Sequence, residues 1–135
     1  MTDIIFNRWG SLDEAIAHYR SSLDEKAGEV RRRFARDWLI DEEYTLSAEQ
    51  AQAFVDGGYS GDAPESVQAW ADAAGMTAKG AADDILATRD AYNVALQQVR
   101  RARLTGKESI KLASTAREAR QIHDQAYADL DAIKP

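Results

Sequence analysis

Residues 11–38 read SLDEAIAHYRSSLDEKAGEVRRRFARDW and carry a strong helical pattern. Its large apolar residues recur in steps of three or four, which places them on one face of a helix. The spacing repeats every eleven residues, a period typical of a straight helix or of one with a slight right-handed coil. Ser11 and Glu14 form the S-x-x-E pattern that caps a helix start. The stretch therefore predicts a helix from about residue 12 to residue 38.

This first helix is long for a chain of 135 residues. It spans about 40 Å at 1.5 Å per residue, whereas a globule of this size has a radius of gyration of about 14 Å. We therefore expect part of its apolar stripe, with the end of the last helix, to lack partners inside the monomer and to bind a partner, as exposed apolar stripes do. The predicted partner-binding residues are Leu12, Ile16, Leu23, Val30, Phe34, Trp38, Leu130 and Ile133.

The middle of the chain, residues 41–76, predicts two short helices. Ser47 begins the first of them, and the glycine pair 57–58 ends it because glycine adopts the left-handed conformation without penalty. Pro64 fits the first turn of the second short helix, and Gly75 closes it.

Residues 77–135 predict two long helices that form an antiparallel hairpin. Thr77 caps the first, a turn at residues 104–106 ends it, and the last helix starts near Lys107. Both helices show the heptad spacing typical of packed helix pairs. The faces predicted to pack are Ala78, Ala82, Ile85, Arg89, Tyr92, Leu96, Val99 and Arg103 on the first, and Leu112, Ala116, Ala119, His123, Ala126, Leu130 and Ile133 on the second.

These elements together predict an all-α protein of about five helices. We expect one helical domain over residues 1–135, with the long helix in 1–40, an acidic region of short helices in 41–76 and the hairpin in 77–135. One domain agrees with the usual 100–200 residues for each domain, as a prior.

Charge is segregated along the chain, which has a formal net charge of −6. From Asp37 to Ala78 there are nine carboxylates and no lysine or arginine, whereas from Arg89 to Arg120 eight basic residues accompany three acidic ones. Two interpretations stay open. Both regions are solvated or fold near each other within one chain, or the acidic surface of one copy meets the basic surface of another.

The sequence contains no recognisable catalytic or metal-binding pattern. There is no cysteine, no G-x-S-x-G and no H-E-x-x-H. His123 is best explained as a packed core residue, and His18 as a boundary residue beside the apolar stripe. The loop at 56–65 fails the spacing of a calcium loop, and Asp83 and Asp84 are explained by the dipole of a helix start. We therefore expect no enzymatic activity, no catalytic residue, no cofactor and no metal.

Nucleic acid and membranes are not expected as partners. A basic cluster around the predicted turn could contact phosphates, but the whole chain is acidic and one of these residues, Arg103, falls in the predicted seam. No apolar run reaches the length of a membrane span, and Met1 to Gly10 lacks the pattern of a signal peptide. The cluster comprises Arg100, Arg101, Arg103, Lys107 and Lys111.

Three segments carry a resemblance to a known family: GYSGDAPESVQAWADAAGMT at 58–77, AADDIL at 81–86 and VRRARLTGK at 99–107. With these segments, residues 47–111 resemble small proteins encoded near the tail genes of tailed bacteriophages and prophages. The resemblance implies a non-enzymatic structural or assembly role, through contacts with other phage structural proteins, and it transfers no functional residues.

The resemblance also implies a place of action, the host cytoplasm during assembly, and leaves the virion open as a second location. From the helix patterns we expect a homo-oligomer. The alternative is a small phage-encoded regulatory or host-interaction protein that binds nucleic acid or a host factor.

Overall fold

The computed structural model describes residues 9–34 and 38–135, with the backbone alone described for residues 38 and 39. These residues form five α-helices and no strand, which confirms the predicted all-α fold. The helices are α1 (Leu12–Phe34), α2 (Trp38–Asp56), α3 (Glu65–Ala74), α4 (Ala78–Lys111) and α5 (Ala116–Asp131).

The chain divides into two compact units, whereas its length predicts one domain. Unit 1 comprises Met1–Phe34 and Ala95–Pro135, and unit 2 comprises Ala35–Val94. The boundary falls within α4, so the first half of this helix belongs to unit 2 and the second half to unit 1.

Unit 1 is built around the contact between α1 and α5. Leu23, Val30 and Leu130 have no exposed surface. The expectation that the apolar stripe lacks partners inside the monomer is therefore wrong for these three residues, because α5 already covers this face of α1. The predicted partner-binding residues that form or contact this core are Ile16, Leu23, Val30, Phe34, Leu130 and Ile133. Leu12 is half-buried, and the Trp38 side chain lies outside the described residues.

A buried glycine explains why the predicted turn at residues 104–106 is wrong. Helix α4 continues to Lys111, and Gly106 lies inside it. A Cβ atom on Gly106 would come within 2.7 Å of Leu23 Cδ1 and 2.8 Å of Ala126 Cβ. The glycine therefore permits a close approach of α4 to α1 and α5 instead of ending the helix.

The observed end of α4 leads directly to a capped start of α5. Thr115 is the N-cap residue of α5, and its hydroxyl accepts a hydrogen bond of 3.0 Å from the amide of Glu118. The Glu118 carboxylate in turn accepts a 3.1 Å hydrogen bond from the Ser114 amide. The last helix thus begins at Ala116, not near Lys107, because a pair of reciprocal capping bonds fixes its first turn.

The buried face of α4 in unit 1 agrees with the predicted face at Val99 but differs from it at Leu96. Ala95 and Val99 are buried, whereas Leu96 is 41% exposed. Leu112, predicted to pack, is 79% exposed because it follows the last residue of α4. The buried side of α4 in unit 1 thus includes small residues, Ala95 and Gly106.

Unit 2 packs α2, α3 and the first half of α4 around a small core: Ala51, Phe54, Val67, Ala71, Ala81 and Ala82. Helix α2 starts at Trp38, so the start predicted at Ser47 is wrong. Its first turns carry carboxylates such as Asp41, which favour a helix N-terminus. The predicted end of α2 is confirmed, since it closes at Asp56 and Gly58 has a φ of +72°.

The capped starts of α1 and α4 are confirmed. Ser11 Oγ accepts a 3.2 Å hydrogen bond from the Glu14 amide, and Thr77 Oγ1 accepts one of 3.1 Å from the Gly80 amide. The predicted first helix is confirmed over Leu12–Phe34, and its predicted continuation through residues 35–37 lies outside the described residues.

Candidate functional site

A buried lysine in α1 organises the ion pairs between α1 and the end of α5. Lys26 is 6% exposed, and its Nζ lies 2.8 Å from Asp131 Oδ1 and 3.3 Å from Glu29 Oε1. Arg33 binds the same Asp131 oxygen at 2.7 Å. The Lys26 ammonium also lies 4.6 Å from the centre of the Tyr127 ring, within the range of a cation–π contact. This cluster neutralises the buried charge by pairing it.

The same cluster shifts the pKa of the aspartate that it surrounds. The hydrogen bonds from Lys26, and then from Arg33, lower the pKa of Asp131 to about 2. The Asp131 bond in turn raises the pKa of Lys26. Both shifts favour the charged pair at neutral pH, so the cluster fastens helices and offers no proton to a substrate near pH 7.

A second ion-pair cluster joins α1 to the unit 1 half of α4. Asp24 accepts hydrogen bonds from Lys107 Nζ at 2.8 Å and from Arg103 Nη1 at 3.2 Å. Partial burial raises the pKa of Asp24, but the bonds from Lys107 and Arg103 outweigh it, so this pKa lies below its ordinary value. One carboxylate therefore serves two cations, and the local charge stays positive.

His123 connects a serine of α1 to a carboxylate of α5. Its Nε2 lies 2.9 Å from Ser22 Oγ, and its Nδ1 lies 2.8 Å from Asp124 Oδ1. Tyr19 and Tyr127 flank the imidazole, with ring centres 4.9 Å and 5.5 Å away. The order serine, histidine, aspartate is that of a hydrolase triad.

The helical backbone around Ser22 differs from that of a hydrolase site. A triad enzyme also needs hydrogen-bond donors aimed at the developing oxyanion. Ser22 lies in the middle of α1, where each backbone amide donates to the carbonyl four residues earlier. The Asp124 side chain is 58% exposed, so water competes for its bond to the histidine. We interpret the chain of contacts as a polar link between α1 and α5.

A row of cations follows one face of the unit 1 half of α4. Successive steps of three or four residues place its members on one side of a helix. We call these four cations, together with the leucine one step before them, the basic stripe: Leu96, Arg100, Arg103, Lys107 and Lys111. Arg100 and Lys111 are exposed and make no ion pair with any residue that the structure describes. Among the stripe's cations, Arg103 and Lys107 share Asp24, so three positive charges are left without a matching carboxylate.

A row of carboxylates follows the solvent face of α2 in unit 2. Its members are spaced by three, four or seven residues, and they lie opposite the buried side that contains Ala51 and Phe54. We call these three carboxylates, together with the leucine between the first two, the acidic stripe: Glu42, Leu46, Glu49 and Asp56. Leu46 is 51% exposed between Glu42 and Glu49. Neither glutamate forms an ion pair within the described part of the chain.

The two aspartates near the start of α4, which the sequence explains by the helix dipole, also accept side-chain hydrogen bonds. Asp83 accepts a 2.5 Å bond from the Tyr59 hydroxyl, and Asp84 accepts a 2.8 Å bond from Trp70 Nε1. The bond to Asp83 raises the pKa of Tyr59. These bonds fasten the turn after α2, and α3, to α4.

No three histidine, aspartate or glutamate side chains among the described residues are grouped to hold a metal ion. Within the described helices, none is long and apolar enough to cross a membrane. No family model matches the sequence, and no curated protein or solved structure matches it either. The resemblance of residues 47–111 to phage tail-associated proteins therefore stays a prediction.

Sequence reasoning missed the burial of Lys26 and the contact between His123 and Ser22. Lys26 lies between Leu23 and Val30 at helical spacing, a signal that it faces the same neighbour as they do. The contact from His123 joins residues 101 positions apart, and no local pattern indicates such a pairing.

Proposed function

We propose that this chain is a non-enzymatic bacteriophage structural or assembly protein, tail-associated, that acts through protein–protein contacts as a homo-oligomer. The observation that carries the proposal is the pair of charged stripes, each with an exposed leucine. Exposed apolar residues beside unneutralised charges of one sign are typical of surfaces that bind a partner. The resemblance of residues 47–111 supplies the phage context.

The assembly role is tested in a host that carries the gene within a prophage. Deletion of the gene should leave particles without functional tails, and a plasmid copy should restore them. Mass spectrometry of the restored particles and of their assembly intermediates should detect the chain. Fully infectious particles from the deletion strain would contradict the role in assembly.

The basic stripe also favours a second function, a regulatory protein that binds nucleic acid. Lys and Arg side chains that neutralise phosphates give an affinity that falls steeply with salt. Fluorescence anisotropy with a labelled duplex tests this, with the variant Arg100→Glu/Lys111→Glu as the control. Binding at about 0.05 M salt that weakens with a log–log slope of about −3, and that the variant lacks, would favour this function. The absence of binding at low salt would eliminate direct DNA binding.

A further inference from the structure

We propose that the acidic stripe on α2 of one copy docks onto the basic stripe on α4 of a second copy. The inference rests on the proposed self-association and specifies its surfaces. It commits to a second copy of this chain as the occupant because the chain itself carries both halves of a complementary pair.

Charge complementarity is the first argument. The acidic stripe lies in a segment of 42 residues, 37–78, without a single lysine or arginine, so local neighbours in sequence cannot neutralise it. The basic stripe retains three positive charges after its contacts with Asp24. Facing charges of opposite sign steer two molecules into register, and like charges in the same place reject a wrong partner.

The dimensions of the two stripes agree. From Glu42 to Asp56 the acidic stripe runs about 21 Å, and from Leu96 to Lys111 the basic stripe runs about 22 Å, at 1.5 Å per residue. Both use the steps of three and four residues that allow two helices to pack side by side. The two rows therefore have about the same length, and the basic stripe is most exposed toward its ends, since the Arg103 and Lys107 side chains are 26% and 20% exposed.

The exposed leucines favour a protein over a phosphate backbone as the occupant. Leu46 is 51% exposed inside the acidic stripe, and Leu96 is 41% exposed at the start of the basic stripe. A phosphate backbone binds cations and provides no apolar surface that could cover either leucine. A helix that carries its own leucine between carboxylates can bury both apolar side chains while it pairs the charges.

The contact should be weak and sensitive to salt. Two helix faces about 20 Å long cover less than the roughly 1,600 Å² of a standard interface, and small interfaces of this kind are transient. Exposed charge pairs are screened, since the Debye length falls from about 10 Å at 0.1 M salt to about 3 Å at 1 M. We therefore expect association in the micromolar range at low salt and its loss at high salt.

Charge reversal tests the docking. The acid-reversed variant is Glu42→Lys/Glu49→Lys, and the base-reversed variant is Arg100→Glu/Lys111→Glu. Lysine and glutamate are both good helix formers, so α2 and α4 should persist. Sedimentation equilibrium at low salt should show association of the unaltered chain and about a tenfold or larger weakening for each variant alone, because like charges then face each other.

Recombining the reversed surfaces gives the decisive result. An equimolar mixture of the two variants should associate, and so should one chain that carries all four substitutions, because opposite charges face each other again. The matched controls reverse exposed charges outside the stripes, Glu43→Lys/Asp72→Lys and Arg101→Glu/Arg117→Glu, and should associate like the unaltered chain. Circular dichroism and thermal melting confirm that every variant is folded.

The outcomes separate this inference from the proposal on which it rests. If the unaltered chain associates and the reversed variants associate equally well, the docking is wrong and self-association stands. A monomeric unaltered chain would overturn both. Loss of duplex binding in the base-reversed variant, without any change in mass, would assign the basic stripe to nucleic acid instead.

Discussion

The close approach of three helices at Gly106 makes a sharp prediction for one added methyl group. In Gly106→Ala the new Cβ would lie 2.7 Å from Leu23 Cδ1 and 2.8 Å from Ala126 Cβ, closer than real Cβ contacts allow. Ala126 Cβ is fixed to its backbone, so the clash is relieved only if α5 moves away from α4. Overpacking of a core costs about 1–3 kcal/mol.

A second glycine supplies the matched control. Gly28 also lies inside a helix, but a Cβ there would meet only the flexible ends of Arg32, at 3.3 Å, and Arg31, at 3.9 Å. Alanine is favoured over glycine in a helix interior by about 1 kcal/mol, so Gly28→Ala should stabilise unit 1 by up to that amount. In Gly106→Ala the same gain is set against the overpacking cost, which leaves a net loss of up to about 2 kcal/mol.

Urea unfolding followed by circular dichroism measures both variants against the unaltered chain. We expect Gly106→Ala to be less stable than Gly28→Ala by about 1–3 kcal/mol, the overpacking term alone. Equal stabilisation by both substitutions would refute the close packing of α4 against α1 and α5. It would favour instead the exposed turn that the sequence predicts at residues 104–106.

Three further predictions concern the buried face of α4, the Asp131 ion pairs and Ser22. Leu23→Ala should destabilise unit 1 by about 3–5 kcal/mol, as for other fully buried leucines. Leu96→Ala should cost less than about 1 kcal/mol because the side chain is partly exposed. Equal losses of stability in urea melts would contradict the assigned face of α4. Asp131→Asn should lower the thermal midpoint at pH 7 and lower it much less near pH 2. The lowered pKa of Asp131 gives stability that is fully present above the unfolded value of 3.8 and is lost as the pH falls through about 2. A difference that persists unchanged at pH 2 would rule out the ion pair as its source. A fluorophosphonate probe should leave Ser22 unlabelled in the folded chain, because the backbone amides beside it are engaged within α1. Labelling that His123→Gln abolishes would overturn the non-enzyme proposal.

The helical fold was predictable because its signals are local. The stripe of α1 and the caps at Ser11 and Thr77 depend on residues three or four positions apart, and all three predict the structure correctly. The Thr115 cap carries the same kind of signal, since Glu118 follows at the capping-box spacing. Because Gly106 indicated a turn, the start of the last helix was predicted near Lys107 and not after Thr115.

The errors come from tertiary contacts that a single sequence does not specify. A glycine in a sequence can indicate either a turn or a close approach of two helices. At Gly106 the close contacts with Leu23 and Ala126 show that it is a close approach. Part of the α1 stripe was predicted to lack partners inside the monomer because the helix is long compared with the radius of gyration of a globule of this size. In the structure, α5 covers that stripe, and its residue Leu130 is fully buried.

The charged stripes were predictable only in part. The segregation of charge is visible in the sequence, but exposure decides which carboxylates and cations can meet a partner. Arg103 and Lys107 are largely engaged by Asp24, a contact across about 80 positions, whereas Arg100 and Lys111 are exposed. The spacing alone gives these four cations equal weight.

Self-association through complementary charged faces makes the molecular mass of the unaltered chain depend on salt. One chain has a mass of 14.9 kDa. Sedimentation equilibrium at about 100 μM protein should give a clearly larger mass at about 0.02 M salt, and the mass should fall toward that of one chain at about 0.5 M salt as the charges are screened. A mass of 14.9 kDa at every concentration and salt would contradict self-association through complementary charged faces.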